Sequence, residues 1–149
     1  MKIAELIRDK SAVYTIEQDK TLHDAIQVLV QHNIGALPVL DKRGKVIGII
    51  SERDILRETA QRADRLHKRR VKDVMTKEVI IGLAEDEVEY TLGVMTQNRI
   101  RHLPIMEGDK LVGIISLADA VKARMVEHEM DNRYLKQYMF GELPEEKRA

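Results

Sequence analysis

The chain has 149 residues and a mass of 17.1 kDa, which is the ordinary size of one compact domain. Its 25 basic and 25 acidic residues balance to a formal charge of zero, which argues against a general binder of nucleic acid or anionic membrane. The lack of cysteine excludes disulfides, thiolate metal sites and cysteine nucleophiles, and the sequence contains neither a secretory signal nor an apolar run of about 18–20 residues. We therefore expect a soluble cytoplasmic protein with an aliphatic core.

The first half of the chain predicts a β-α-β-β-α unit. Apolar residues recur at helical spacing after a capping threonine, and two β-rich runs flank a turn in which a glycine can supply a positive φ. In chain order we predict a strand at Val13–Ile16, a helix at Leu22–Gln31 capped by Thr21, strands at Ala36–Leu40 and Lys45–Ser51 around a turn at Gly44, and a helix that begins near Glu52 after Ser51.

The second half repeats this pattern. Pro38 corresponds to Pro104, and Asp54 corresponds to Asp119 after the loss of one residue in the turn between them. A unit of about 50–60 residues buries too little surface to be stable alone. The two copies are therefore expected to pack sheet against sheet around one shared core, giving an α/β (α+β) fold with terminal helices.

We predict four segments along the chain: residues 1–62 as an N-terminal helix plus the first repeat, 63–72 as a basic linker, 73–125 as the second repeat, and 126–149 as a C-terminal helix and frayed tail ended by Gly141 and Pro144. The linker cluster is either a solvated connection or a nucleic-acid contact, and its cations are Arg62, Arg65, His67, Lys68, Arg69, Arg70 and Lys72. The tail offers apolar positions for packing or for a dimer contact, namely Val121, Met125, Met130, Tyr134, Leu135 and Tyr138.

The sequence does not predict an enzyme. Its five histidines occur singly, without the helical spacing of a metal site, so no metal site is predicted. Ser51 and Ser116 lack the glycine-flanked turn of a nucleophilic serine, and neither a P-loop nor a glycine-rich dinucleotide loop is present.

A Ser-x-x-Asp motif occurs at equivalent places in the two repeats. Ser51 and Asp54 form the first copy, and Ser116 and Asp119 form the second, each where a Gly-Ile-Ile strand runs into a helix. A carboxylate in such a place can accept hydrogen bonds from the vicinal diol of a ribose. The alternative is a capping box that serves only the helix.

Potential cations precede the second proline-containing strand. Arg99, Arg101 and His102 stand where they can meet an anion, whereas the corresponding positions of the first repeat carry no charge. Arg53, beside Asp54, is the comparable candidate of the first repeat. If phosphate is bound, we expect the second repeat to supply most of the positive charge.

The doubled motifs resemble those of a tandem CBS-domain pair (Bateman module) of the stand-alone bacterial or archaeal type. The resemblance covers about Val13–Lys122 and rests on A-L-P-V with H-L-P-I, on G-I-I-S-E-R-D with G-I-I-S-L-A-D, and on the intervening D-V-M-T. It implies a flat pseudo-symmetric module with two clefts that commonly bind AMP, ADP, ATP, NAD(H) or S-adenosylmethionine. Family members often form dimers, and similar modules regulate attached enzymes such as IMP dehydrogenase. A chain of 149 residues has no room for the catalytic barrel of such an enzyme, so we expect it to act on a separate protein.

The resemblance also implies roles for individual residues. Asp54 and Asp119, with Ser51 and Ser116, would bind ribose, and Arg99, Arg101 and His102, with Arg53, would face phosphate. The adenine pocket would contain Tyr14, Ile34, Ala36, Ile80 and Ile100. We therefore expect a regulatory sensor of an adenine nucleotide, AMP above the others, that needs no cofactor, forms a homodimer and signals to a separate protein. The alternatives are a structural dimerisation module with non-functional clefts and a nucleic-acid contact through the linker.

Overall fold

The computed structural model describes residues 1–8, 10 and 12–140, without the side chains of residues 135, 136 and 138–140. The first half of this part of the chain contains α1 (Ile3–Arg8), β1 (Ile16–Glu17), α2 (Leu22–His32), β2 (Ala36–Leu40), β3 (Val46–Ser51) and α3 (Glu52–Arg62). After a 3-10 turn at Ala63–Arg65, the second half contains α4 (Val71–Val74), β4 (Gly82–Leu83), α5 (Val88–Gln97), β5 (His102–Glu107), β6 (Lys110–Ser116) and α6 (Leu117–Phe140). The predicted α/β fold class and the repeated β-α-β-β-α order are confirmed.

Each repeat forms its own three-stranded sheet. The central strand pairs with a short parallel strand on one side and with a longer antiparallel strand on the other. Gly44 turns the first hairpin with a φ of +80°, as the sequence predicts. The register of β2 on β3, including its bulge, is repeated by β5 on β6, so Ser51 and Ser116 end their strands at equivalent points.

The buried residues form two clusters, one for each repeat, and the prediction of one shared core is wrong. Leu37 and Ile50 are fully buried in the first cluster, and Leu103 and Ile115 are buried equivalently in the second. Each sheet has helices packed on its apolar face, so each repeat removes its own aliphatic side chains from water.

The short helices that precede the two repeats are exchanged between them. Ile3 of α1 is fully buried in the cluster of the second repeat, whereas Val71 of α4 is fully buried in the cluster of the first. Met75, just after α4, packs on Gly48 of β3, where a Cβ would leave no room, and Ile7 of α1 packs equivalently on β6. Each repeat therefore completes its surface with residues that lie outside its own contiguous segment.

Polar caps fix where the first repeat's helices begin and where α2 ends. Thr21 accepts a hydrogen bond from the Asp24 N–H at 3.1 Å, and the Asp24 carboxylate accepts one from the Thr21 N–H at 3.0 Å, which is the capping box of α2. Asn33 ends α2 with a φ of +50°. Its counterpart after α5 is Arg99, with a φ of +55°, a conformation that costs an arginine about 1–2 kcal/mol.

The predicted strand at Val13–Ile16 is displaced toward the C-terminus. Pairing with β2 is made by Ile16 and Glu17, opposite Val39 and Leu40. The described residues 12–15, just before Ile16, are not assigned to a strand, and Tyr14 stacks its ring on His32 with centroids 3.6 Å apart.

Several cations of the basic linker bind back to the first repeat. Arg69 Nε lies 2.9 Å from Glu58 Oε1, Arg70 donates to the Asp19 carbonyl at 2.7 Å, and Lys72 Nζ lies 3.0 Å from the Asp19 carboxylate. These contacts attach the linker and the first turn of α4 to the repeat on which α4 packs.

The C-terminal segment forms one continuous helix as far as the structure describes it. Four apolar side chains that we expected to be available for packing or for a dimer contact are 39–69% exposed: Val121, Met125, Met130 and Tyr134. The side chains of Leu135 and Tyr138, and the residues beyond 140 with Gly141 and Pro144, lie outside the described part. Among the described helices, each is too short or too polar to cross a bilayer.

Candidate functional site

A cavity of about 540 Å³ lies between the two repeats, a volume within the range of small-molecule pockets. It opens where β3 runs into α3 and where the chain enters β5, so each repeat contributes one wall. We call it the Asp54 cleft. Nine of the predicted site residues line it: Ala36, Ser51, Arg53, Asp54, Ile80, Arg99, Ile100, Arg101 and His102.

The Asp54 carboxylate caps α3 and lines the cleft at the same time. Its Oδ2 accepts hydrogen bonds from the Ser51 N–H at 2.9 Å and from the Ser51 hydroxyl at 3.0 Å. The capping alternative is thus realised, but it uses one carboxylate oxygen. Among the described residues, Oδ1 has no hydrogen-bond partner and no cation forms an ion pair with Asp54, so acceptor capacity remains on the cleft side.

The charged wall of the cleft comes from the second repeat. Arg99 and Arg101 both line it, and Arg99 is held in the left-handed conformation described above. His102 differs from them, because its burial lowers the pKa of the imidazole, an effect that the nearby Glu52 carboxylate only partly opposes. His102 is therefore a neutral hydrogen-bonding group at neutral pH, and the positive charge of this wall is carried by Arg99 and Arg101.

His102 is positioned by the backbone of the first repeat. A Cβ on Gly35 would lie 2.8 Å from His102 Nε2, 3.0 Å from His102 Cε1 and 3.4 Å from Glu52 Oε1. Real Cβ atoms essentially never lie closer than 3.0 Å to such a neighbour, so the glycine makes space for the imidazole. The space that His102 needs thus explains why the first repeat has a glycine at position 35, where the second repeat has Arg101.

The second Ser-x-x-Asp motif has different surroundings. The Asp119 carboxylate accepts a hydrogen bond from the Ser116 N–H at 2.9 Å, as in the first copy. It also accepts a charge-assisted hydrogen bond from Lys10 Nζ, which donates to the Ile114 carbonyl at 3.1 Å as well. We call these four residues the Asp119 site. Burial alone would raise the pKa of Asp119, but the hydrogen bonds from Lys10 and Ser116 outweigh it and hold the pKa below its ordinary value.

The remaining predicted residues do not join the Asp54 cleft. Tyr14 and Ile34 pack against the core of the first repeat, and one face of the Tyr14 ring is covered by His32. Ser116 lines a more open groove of about 1080 Å³ along α6, as do Arg101 and His102.

Sequence reasoning missed several residues of the two sites. Glu52 stands inside the Ser-x-x-Asp motif, and Thr76 and Glu78 precede Ile80 on the segment that enters the second repeat; all three line the Asp54 cleft. The repeat itself offered a signal for Lys10, because Lys10 corresponds to Thr76 when Tyr14 is aligned with Ile80.

A comparison with known families matches the CBS domain over residues 3–60 and again over 71–126. These ranges cover more than half of the chain, which therefore belongs to the CBS-domain family as a tandem pair. It is 35% identical over 127 residues to the mitochondrial CBS domain-containing protein CBSX3 of Arabidopsis thaliana, covering 83% of this chain and 62% of the plant protein. The chain thus spans less than two thirds of that relative.

Solved structures share the architecture. The CBS-domain containing protein ATU1752 from Agrobacterium tumefaciens superposes with a TM-score of 0.77 at 35% identity, covering 83% of this chain and 92% of that one. The CBS domain pair of protein MJ0100, solved in complex with 5'-methylthioadenosine and S-adenosyl-L-methionine, superposes with a TM-score of 0.73 at 25% identity, covering 83% and 99%. That protein binds two adenosine-derived compounds.

Proposed function

We propose that this chain is a non-enzymatic regulatory module that binds an adenosine nucleotide, AMP above the others, in the Asp54 cleft and signals to a partner protein. The observation that carries the proposal is the cleft between the repeats, where the Ser51–Asp54 pair of one repeat faces the arginines of the other. The adenosine ligands of the MJ0100 domain pair support the same ligand class. A ligand that touches both walls favours one arrangement of the repeats over another by its difference in affinity for the two, and a partner can read that difference.

In the proposed complex, the ribose hydroxyls donate to the free oxygen of Asp54. The adenine lies against the aliphatic wall made by Ala36, Ile80 and Ile100, since a flat apolar ring gains by burial there. Because Asp54 keeps its capping hydrogen bonds, the carboxylate is held in place before the ligand arrives, which reduces the entropy lost on binding.

The charges around the cleft support a ligand with few phosphates. Arg99 and Arg101 can hold one phosphate by charge-assisted hydrogen bonds, with Arg53 as a further cation. Glu52 and Glu78 line the same cavity, and they repel each phosphate added beyond the first. This balance favours AMP over ATP, ADP and NAD(H), while S-adenosylmethionine offers the arginines one carboxylate and brings a sulfonium and an ammonium group whose positive charges oppose theirs.

We also propose that the chain forms a homodimer through the face that α6 exposes. Met125 is 67% exposed and Val126 is 45% exposed, and both line the groove along α6. An apolar surface of this kind is commonly an interaction site. The cytoplasmic location stays a prediction of the sequence.

The test is isothermal titration calorimetry with AMP, ATP, NADH, S-adenosylmethionine and, as a base control, GMP. We expect AMP to bind most tightly of the set. Asp54→Asn keeps an acceptor for the cap but removes the charge, and it should weaken AMP binding by about 1.5–3 kcal/mol, the scale of a hydrogen bond to a charged group. Asp24→Asn is the matched control, because Asp24 holds the same position in the capping box of α2 but lies outside the lining of the cleft.

Two outcomes would contradict the proposal. If none of the adenosine compounds binds at millimolar concentration, the chain is better explained as a dimerisation module, which the exposed face of α6 favours. If Asp54→Asn and Asp24→Asn change the affinity for AMP equally, Asp54 acts through the fold and does not contact the ligand.

A further inference from the structure

The two repeats present the same Ser-x-x-Asp motif in different electrostatic states. Asp54 has no cationic partner among the described residues, whereas Asp119 is paired with Lys10. Both carboxylates also cap a helix through the serine three residues before them, so the ion pair with Lys10 is what distinguishes the charge state of the Asp119 site. A ribose that approached Asp119 would meet an ammonium group that already holds the carboxylate.

The repeat explains how a lysine comes to lie there. Thr76, the counterpart of Lys10, pairs with Ile49 through the backbone, with Ile49 N–H donating to the Thr76 carbonyl at 3.0 Å and Thr76 N–H donating to the Ile49 carbonyl at 2.9 Å. In the other repeat, Lys10 meets Ile114, the counterpart of Ile49, through its side chain, because Lys10 Nζ donates to the Ile114 carbonyl at 3.1 Å. The ammonium group of Lys10 thus contacts both the strand residue that corresponds to Ile49 and the Asp119 carboxylate.

From these contacts we infer that Lys10 determines which of the two Ser-x-x-Asp sites binds ligand: it occupies the Asp119 site as an internal substitute for the ribose and leaves the Asp54 cleft as the receptive one. This inference rests on the proposed function, since it takes adenosine nucleotides as the ligands. It assigns a role to a residue outside both motifs.

The strength of this internal contact is enough to decide occupancy. The Lys10 and Asp119 side chains are 37% and 32% exposed, so the pair is partly screened by water and is weaker than a fully buried one. Hydrogen bonds to a charged group affect binding by about tenfold or more, and we take about tenfold for this half-exposed pair. A nucleotide would therefore bind at Asp119 about ten times more weakly than the same site allows without the lysine.

Two neighbouring features bear on the Asp119 site: one disfavours binding there, and the other connects it to the Asp54 cleft. The Tyr14 ring, which corresponds to the Ile80 side chain of the Asp54 cleft, has one face covered by His32. His102 lies between the two sites, and its imidazole interacts electrostatically with both Asp119 and Lys10 while it lines the Asp54 cleft. Displacement of Lys10 would therefore also alter the charge around the receptive cleft.

The experiment is calorimetry with AMP on the whole chain and on Lys10→Ala. We expect one AMP per chain for the unsubstituted protein, and two per chain for Lys10→Ala at the same concentrations. Combination with Asp54→Asn should leave Lys10→Ala with one site, the one at Asp119. Lys2→Ala is the matched control, because Lys2 forms an ion pair with Glu87 at 2.9 Å near the same end of the chain, outside both sites, and it should keep one AMP per chain.

The outcomes separate this inference from the proposed function. Two AMP per unsubstituted chain, or one per chain in Lys10→Ala, would overturn the inference and leave the proposed function standing. Binding by neither protein would overturn the proposed function. In that case the contact itself is tested by the melting temperatures of Lys10→Ala, Asp119→Asn and the double variant. Shifts in melting temperature that simply add would show that Lys10 does not hold Asp119. A double variant no less stable than the less stable single variant supports the contact.

Discussion

The contact between Gly35 and His102 makes a quantitative prediction about the junction of the two repeats. In Gly35→Ala the new Cβ would lie 2.8 Å and 3.0 Å from two imidazole atoms, so the ring must move by several tenths of an ångström. Such overpacking costs about 1–3 kcal/mol, while the loss of glycine's freedom in the unfolded chain returns about 0.4–1 kcal/mol. The φ of Gly35 is not in the left-handed region, so alanine adds no backbone strain. We expect a net loss of about 1 kcal/mol.

The assay is urea and thermal unfolding of Gly35→Ala, of Gly93→Ala and of both in a His102→Ala background. A loss of 1 kcal/mol lowers the melting temperature of a chain of this size by about 2–4 °C. Gly93 lies inside α5, and beyond its own helical turn the described residues place no atom within 4 Å of its Cβ position, so Gly93→Ala should stabilise the protein by about 0.5–1 kcal/mol. In the His102→Ala background, Gly35→Ala should become neutral or stabilising.

Two results would refute this reasoning. Gly35→Ala as stable as Gly93→Ala would mean that the imidazole does not limit the space at Gly35. An equal loss with and without the imidazole would mean that the cost arises elsewhere in the fold.

Two further predictions concern a buried hydroxyl and a partly buried imidazole. The Thr91 hydroxyl is buried, and the described residues provide it with no hydrogen-bond partner. Thr91→Val should therefore stabilise the protein by about 1 kcal/mol in thermal unfolding. The control is Thr96→Val, which should not stabilise the protein because the Thr96 hydroxyl donates to the Leu92 carbonyl at 2.7 Å. A loss of stability in Thr91→Val would indicate a partner for the hydroxyl. Burial lowers the pKa of His102, so the unfolded chain takes up that proton first, and stability should fall as the pH drops below about 6.5 and level off below the folded pKa. Free energies of unfolding between pH 7 and pH 5 should show a shallower fall in His102→Gln, and identical slopes would contradict the assignment.

Much of the fold could be predicted because the repeat states each element twice. The capping threonine before α2, the turn glycine at 44 and the serines that end β3 and β6 are local signals, and each lies where the sequence places it. The exchange of α1 and α4 could not be predicted in this way. Their apolar residues indicate a buried face, but periodicity does not tell which of two similar sheets will cover it.

The residues of the candidate site likewise fall into those that the sequence predicts and those that it does not. The residues of the Asp54 cleft come from motifs whose strands and helices were predicted, so their convergence followed from the pseudo-symmetry. Lys10 was missed because it shares no chemistry with its counterpart Thr76, so the alignment of the repeats marks the position but not its role. The neutral Gly35 was recognised, but its contact with His102 joins two different repeats and has no sequence signal. The asymmetry between the sites depends on single side chains that no repeated pattern contains.

The exchange of the short helices has a consequence for how the protein is made. When residues up to 62 have left the ribosome, Leu22 and Leu37 still lack Val71, which completes their cluster and is synthesised later. Meanwhile Ile3 is synthesised first and waits for the last strands of the chain to emerge. A nascent first half should therefore stay sensitive to proteases. Two fragments produced by cleavage between residues 62 and 71 should be protected from proteases when they are mixed, and neither fragment should be protected alone.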